Sequence, residues 1–96
     1  MITAARVGLF EEWRKTGQEV AVVGLGKSGV AATLLLRDHG IPVYASDSGL
    51  GAALQASAQA LTEAGAEVQL GGHDIGRVAR SAAVIVAPGV PPEVAP

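Results

Sequence analysis

Short strand-like runs alternate with segments of helical pattern along this chain, and glycine or proline follows each run. The runs occupy residues 19–23, 43–46, 67–70 and 82–87, and the helical segments between them cover residues 30–39, 50–64 and 75–80. Strands and helices that alternate with short connections predict an α/β fold, in which a parallel sheet with right-handed crossovers carries helices on both faces. We therefore expect a Rossmann-like sheet of about four strands in the order 3-2-1-4, without the later strands usual in that fold.

Composition limits the size and the chemistry of this fold. A chain of 96 residues makes one small domain. It contains no cysteine, which excludes disulfide scaffolds and thiolate metal sites. A net charge of −2 gives no indication of nucleic-acid binding. No apolar run approaches the roughly 18 residues of a membrane span, and the N-terminus lacks a signal-peptide pattern, so we expect a cytoplasmic protein.

The polar residues show no arrangement typical of catalysis. The sequence has no Ser-His-Asp order, no close pair of carboxylates and no cluster of metal ligands. We expect His73 to be a surface or capping residue and Asp74 to cap the helix that follows it. The segment 30–39 is apolar nearly all round, which predicts a heavily buried helix.

A glycine loop, GLGKSG, joins the first run to the first long helix and matches G-x-G-x-x-G. Gly24 permits a tight turn, Gly26 lets a phosphate approach the backbone, and Gly29 lets the helix pack closely on the strand. The free N–H groups and the positive end of the helix dipole favour an anion there, to which Lys27 adds a cation and Ser28 a hydroxyl. The alternative is a loop that opens the helix and binds nothing.

The Gly-Lys-Ser order also resembles the end of a P-loop. That motif needs a glycine at position 21, where this chain has Ala21. The sequence therefore favours a nucleotide-binding loop of the Rossmann type over a P-loop.

Asp47 lies about 20 residues beyond the glycine loop, at the predicted end of the second strand. An acid at this place can accept hydrogen bonds from a ribose or from the polar edge of a base; the alternative is an N-cap for the helix that begins near Leu50. Pro88 and Gly89 end the fourth strand, which a 3-2-1-4 order places opposite the glycine loop, although a plain turn would also use them.

Four segments together resemble one family, the N-terminal domain of the Mur ligases, and within it the MurD type, the UDP-N-acetylmuramoyl-L-alanine:D-glutamate ligases. The segments read VAVVGLGKSGVAA, ASDS, LGGH and VIVAPGVPP, and the resemblance covers residues 19–92. It implies a Rossmann-like domain that holds the UDP part of the substrate during peptidoglycan synthesis. The chain departs from the family pattern at Gly49, where some relatives have a basic residue, and at Ala87, where serine is more common.

The resemblance also implies roles for particular residues. Lys27 and Ser28, with Gly24, Gly26 and Gly29 of the same loop, match positions at the diphosphate. Asp47 and Ser48 match positions beside the uracil, and Gly89 matches a glycine near the diphosphate. ATP, Mg²⁺ and D-glutamate are implied for the full-length enzyme, whose ATPase and C-terminal domains are missing from this sequence, so we expect no ligation by the chain alone.

Two other functions stay open on the sequence. A dinucleotide-binding module for NAD fits Gly24, Gly26, Gly29 and Asp47 equally well, since spacing alone does not separate UDP from NAD. A module that binds no nucleotide is also possible; a fourth strand with an unpaired edge would then associate with a second copy, although we expect a monomer.

Overall fold

A computed structural model describes residues 7–87 of the chain. The helices are α1 (Val7–Thr16), α2 (Lys27–Asp38), α3 (Ala52–Glu63) and α4 (Ile75–Arg80). The strands are β1 (Val20–Val23), β2 (Val43–Asp47), β3 (Glu67–Leu70) and β4 (Ala83–Val86). The predicted alternation of strands and helices is confirmed.

The four strands form one parallel sheet in the order β3-β2-β1-β4, as predicted. Val20 at the start of β1 is paired with Val43 on one side and with Ala83 on the other. The strand order therefore reverses between β1 and β4, and in open α/β sheets ligands bind beyond the carboxyl ends of the strands at such a point.

The hydrophobic core lies between the sheet and helices α2 and α3. Alternate residues of β1 and β2 point into it, because side chains of a strand alternate between its two faces. Leu36 of α2 and Leu61 of α3 meet these strand residues and are almost fully buried, and Trp13 of α1 packs against the same cluster. The buried cluster consists entirely of aliphatic residues, in a chain that has only three aromatic residues.

The opposite face of the sheet carries α4, which has no buried residue. Arg77 attaches this helix to the sheet: its guanidinium lies 4.6 Å from the centre of the Tyr44 ring. The same group donates two hydrogen bonds to the Glu19 carboxylate at 2.8 and 2.6 Å and one to Glu67 at 2.7 Å. These bonds raise the pKa of Arg77, those from Glu19 most strongly. Helices therefore lie on both faces, as predicted.

Two expectations for α2 are wrong. The helix begins at Lys27 and not at Val30, because Gly26 already has the extended backbone of an N-cap, with φ −72° and ψ −167°. The helix is also not heavily buried all round, since Leu34 and Leu35 are each 43% exposed. One layer of sheet covers only one face of a helix, so the remaining apolar side chains of α2 lie at the surface.

Strand β4 lies at one edge of the sheet, and among residues 7–87 no strand pairs with its outer side. Val84 and Val86 are 44% and 68% exposed on the face that carries α4. The proline-rich segment after this strand lies outside the described residues. No helix in the described part of the chain is long and apolar enough to cross a bilayer.

Candidate functional site

The glycine loop leaves the carboxyl end of β1, next to the ends of β2 and β4. Gly24 has φ +99°, a conformation that side chains disfavour, and a Cβ there would lie 2.6 Å from the carbonyl oxygen of Ala87. The Gly24 amide donates to the carbonyl of Ser46 at 2.7 Å, and the Ala87 amide donates to that of Val23 at 2.9 Å. The predicted tight turn at Gly24 is confirmed, and it brings the three strand ends together.

Gly29 lies in the first turn of α2, where it is buried. A Cβ at this position would overlap the carbonyl oxygen of Gly24 and would also touch the Ala87 side chain. Glycine is therefore required for α2 to start this close to β1, as the sequence pattern predicts.

The start of α2 has backbone donors with no partner inside the helix. Its first intrahelical bond runs from the Val30 amide to the Gly26 carbonyl, at 3.0 Å, so the amides of Lys27, Ser28 and Gly29 precede it. Gly26 provides no side-chain cap, and the side chains of Lys27 and Ser28 are exposed. An anion at this end of the helix would meet three N–H groups, the positive end of the helix dipole and a cation.

Asp47, the last residue of β2, holds the glycine loop in place. Its Oδ2 accepts a hydrogen bond from the Leu25 amide at 2.7 Å, and its Oδ1 accepts one from the Gly49 amide at 2.8 Å. The bond from Leu25 is the main reason that the pKa of Asp47 is lowered. The alternative role as an N-cap is wrong, because Gly51 occupies the N-cap of α3. The sequence did not predict the contact with Leu25.

The LGGH segment closes over the end of β2. The amides of Gly71 and Gly72 both donate to the Asp47 carbonyl, at 2.8 and 3.3 Å. Gly71 has φ +82°, which allows the chain to turn back after β3. His73 then places its Nδ1 atom 2.6 Å from the hydroxyl of the buried Ser46. His73 is therefore half-buried and hydrogen-bonded to β2, a contact that the expectation of a surface or capping residue did not include, while Asp74 caps α4 as predicted.

The structure brings most of the predicted site residues to one edge of the sheet. Gly24, Gly26, Lys27, Ser28 and Gly29 form the loop and the first turn of α2, and Asp47 reaches the loop through Leu25. Ser48 follows Asp47 and is exposed. Gly89 lies outside the described residues. Within residues 7–87, no three side chains of the types that ligate metals are grouped to hold an ion.

A glycine loop at the reversal point of a parallel sheet, with an acid at the end of β2, defines an α/β domain of the Rossmann-like class. Residues 18–95 match the family described as "Mur ligase MurD-like, N-terminal domain". The chain belongs to this family, as the resemblance predicts.

Individual relatives agree with this assignment. The chain is 47% identical over 75 residues to a UDP-N-acetylmuramoylalanine--D-glutamate ligase of Acidobacterium capsulatum, which covers 78% of this chain and 16% of that protein. It is 45% identical over 76 residues to ligases of the same name from Frankia casuarinae and Myxococcus xanthus, over 79% of this chain and 16% and 17% of theirs. The chain thus spans about one sixth of these relatives. No solved structure matches it.

Proposed function

We propose that this chain binds the UDP part of UDP-N-acetylmuramoyl-L-alanine, as the first domain of a ligase that adds D-glutamate to that substrate in peptidoglycan synthesis. The observation that carries the proposal is the open start of α2, where the amides of Lys27, Ser28 and Gly29 precede the first intrahelical bond. Family membership and the names of the relatives support the choice of UDP over other anions.

In this proposal the diphosphate is bound mainly by the backbone. The three amides and the helix dipole stabilise its charge, while the Lys27 side chain adds an exposed and therefore weaker attraction. The backbone of Gly26 has ordinary extended angles, so its conformation does not require glycine. Close approach of a phosphate provides the reason for glycine at this position.

Asp47 and Ser48 are proposed to contact the uridine. Each carboxylate oxygen of Asp47 accepts one backbone hydrogen bond, and a carboxylate offers about four acceptor sites, so capacity remains for a base N–H or a ribose hydroxyl. Ser48 has an exposed hydroxyl that can donate or accept. The bonds from Leu25 and Gly49 hold the carboxylate in one orientation before the ligand arrives.

ATP, Mg²⁺ and D-glutamate belong to the full-length reaction in this proposal. Within residues 7–87, no three metal-ligating side chains are grouped to hold an ion. We assign no step of the ligation to this chain and expect it to be inactive by itself.

The test is a pair of NMR titrations of the purified chain, one with UDP and one with NAD. We expect UDP, and not NAD, to shift the amide signals of Lys27, Ser28, Gly29 and Asp47. A preference for NAD would instead make the chain a dinucleotide-binding module. Binding of neither would contradict UDP binding by this chain.

A matched pair of variants tests the loop itself. Gly26→Val adds a side chain where the phosphate is proposed to approach, and it should abolish UDP binding. Gly51→Val is the control: Gly51 is the N-cap of α3, has similar angles (φ −66°, ψ 164°) and has nothing within 4 Å of an added Cβ. If Gly26→Val binds UDP as well as Gly51→Val does, the loop is not the phosphate site.

A further inference from the structure

His73 is a half-buried imidazole that the proposed binding of UDP leaves without a role. Its Nδ1 atom lies 2.6 Å from the hydroxyl oxygen of Ser46, whose side chain is completely buried. A buried hydroxyl that finds no acceptor costs free energy. Among residues 7–87, the Ser46 hydroxyl has its side-chain hydrogen bond with the Nδ1 atom of His73. The pair is therefore best satisfied when Ser46 donates to Nδ1 and the ring carries its proton on Nε2.

The bond joins two segments that both contact Asp47. Ser46 precedes Asp47 in β2, while Gly71 and Gly72, which precede His73, donate their amides to the Asp47 carbonyl. The carboxylate of Asp47 in turn holds the Leu25 amide. A displacement of residues 71–73 would therefore act on the end of β2 and, through it, on the glycine loop.

The pKa of Asp47 is lowered chiefly by the Leu25 amide, which agrees with a carboxylate held by the glycine loop. The charged groups of α4 have partners of their own: Asp74 accepts from the Arg77 amide, and Arg77 is bound to Glu19 and Glu67.

We propose that His73 is a positioning residue of the nucleotide site: through its bond to Ser46 it holds residues 71–73 against the end of β2 and so fixes the orientation of Asp47. The effect on ligand affinity rests on the proposed binding of UDP. The effect on the loop itself does not, because the bond between Asp47 and Leu25 is present without a ligand.

Three variants separate this role from simple space filling. His73→Ala removes the partner of Ser46, while His73→Asn keeps an acceptor near the position of Nδ1. His39→Ala is the matched control, because His39 is at the opposite end of α2 from the glycine loop. Loss of one hydrogen bond predicts UDP binding roughly three- to tenfold weaker in His73→Ala, near wild type in His73→Asn and unchanged in His39→Ala.

Hydrogen exchange in the absence of ligand gives the second measurement. We expect the Leu25 amide to exchange faster in His73→Ala by a similar factor, with the amide of Val22 in the core as reference for global stability, and to recover in His73→Asn. Equal changes at Leu25 and Val22, or no recovery in His73→Asn, would overturn the positioning role. If the wild-type chain does not bind UDP, the proposed function fails, and exchange at Leu25 still decides the role of His73.

Discussion

Replacing Asp47 by asparagine changes one atom of the site and tests how the glycine loop is held. The carboxylate accepts two backbone hydrogen bonds, from Leu25 at 2.7 Å and from Gly49 at 2.8 Å. An asparagine side chain accepts only one of them and turns an NH₂ group toward the other amide. A hydrogen bond to a charged group contributes about 1.5–3 kcal/mol, and Asp47 is only half-buried, so we expect Asp47→Asn to cost about 2 kcal/mol of unfolding free energy.

Urea denaturation as a function of pH measures this cost and its origin. If the unfolding free energy falls by about 2 kcal/mol per molar urea, the unfolding midpoint of Asp47→Asn at pH 7 should lie about 1 M below that of wild type. The pKa of Asp47 is lower in the folded chain than in the unfolded chain. Its ionised carboxylate therefore stabilises the fold at pH values above the unfolded pKa, near 3.9, and this stabilisation is lost as the pH falls through the folded pKa. The difference in unfolding free energy between wild type and Asp47→Asn should therefore become smaller below about pH 4.

Asp38→Asn provides the control for this experiment. Asp38 is exposed at the end of α2, so its neutralisation should change stability by no more than about 0.5 kcal/mol. Two results would show that the carboxylate does not hold the loop as described. One is an equal loss of unfolding free energy in Asp47→Asn and Asp38→Asn at pH 7; the other is a difference between Asp47→Asn and wild type that stays constant at low pH.

Three further predictions concern packing and the sheet surfaces. Gly29→Ala should cost about 1–3 kcal/mol because its Cβ would overlap the Gly24 carbonyl, whereas Gly51→Ala, whose Cβ meets open space at an N-cap, should cost less than about 1 kcal/mol in the same urea assay. Arg77→Lys should lose about 1–2 kcal/mol, because an ammonium cannot reproduce the paired hydrogen bonds to the sheet, and a variant as stable as wild type would contradict this reason. Val86→Lys should reduce any self-association through the β4 edge in sedimentation at rising concentration; association that persists in the variant would exclude this edge.

The sequence predicted the topology well because the relevant information is local. Short apolar runs ended by glycine mark the strands, and helices that start and stop at glycine determine the connections. The conformations of Gly24 and Gly29 also followed from a loop pattern whose physical basis is general. The start of α2 was predicted three residues too late, because the helix begins within the motif, at Lys27, whereas the whole motif was assigned to the loop.

The contacts of the site that were not predicted are those between distant parts of the chain. Asp47 was expected at the site, but its bond to Leu25 depends on how closely β2 and the loop approach each other in three dimensions. His73 was expected to be a surface or capping residue because a single histidine in a loop has no local pattern to indicate a partner 27 residues away. Two adjacent glycines before it are the only sequence sign that the chain turns back there.

The way in which α4 is attached makes the two faces of the sheet respond differently to solvent. Helices α2 and α3 are held by aliphatic burial, which salt strengthens or leaves unchanged, whereas α4 buries no residue and depends on the charged side chain of Arg77. We therefore expect high ionic strength to weaken the attachment of α4 more than that of α2 and α3, so that α4 opens first. Since the LGGH segment leads directly into α4, the rim of the proposed nucleotide site should loosen in the same event.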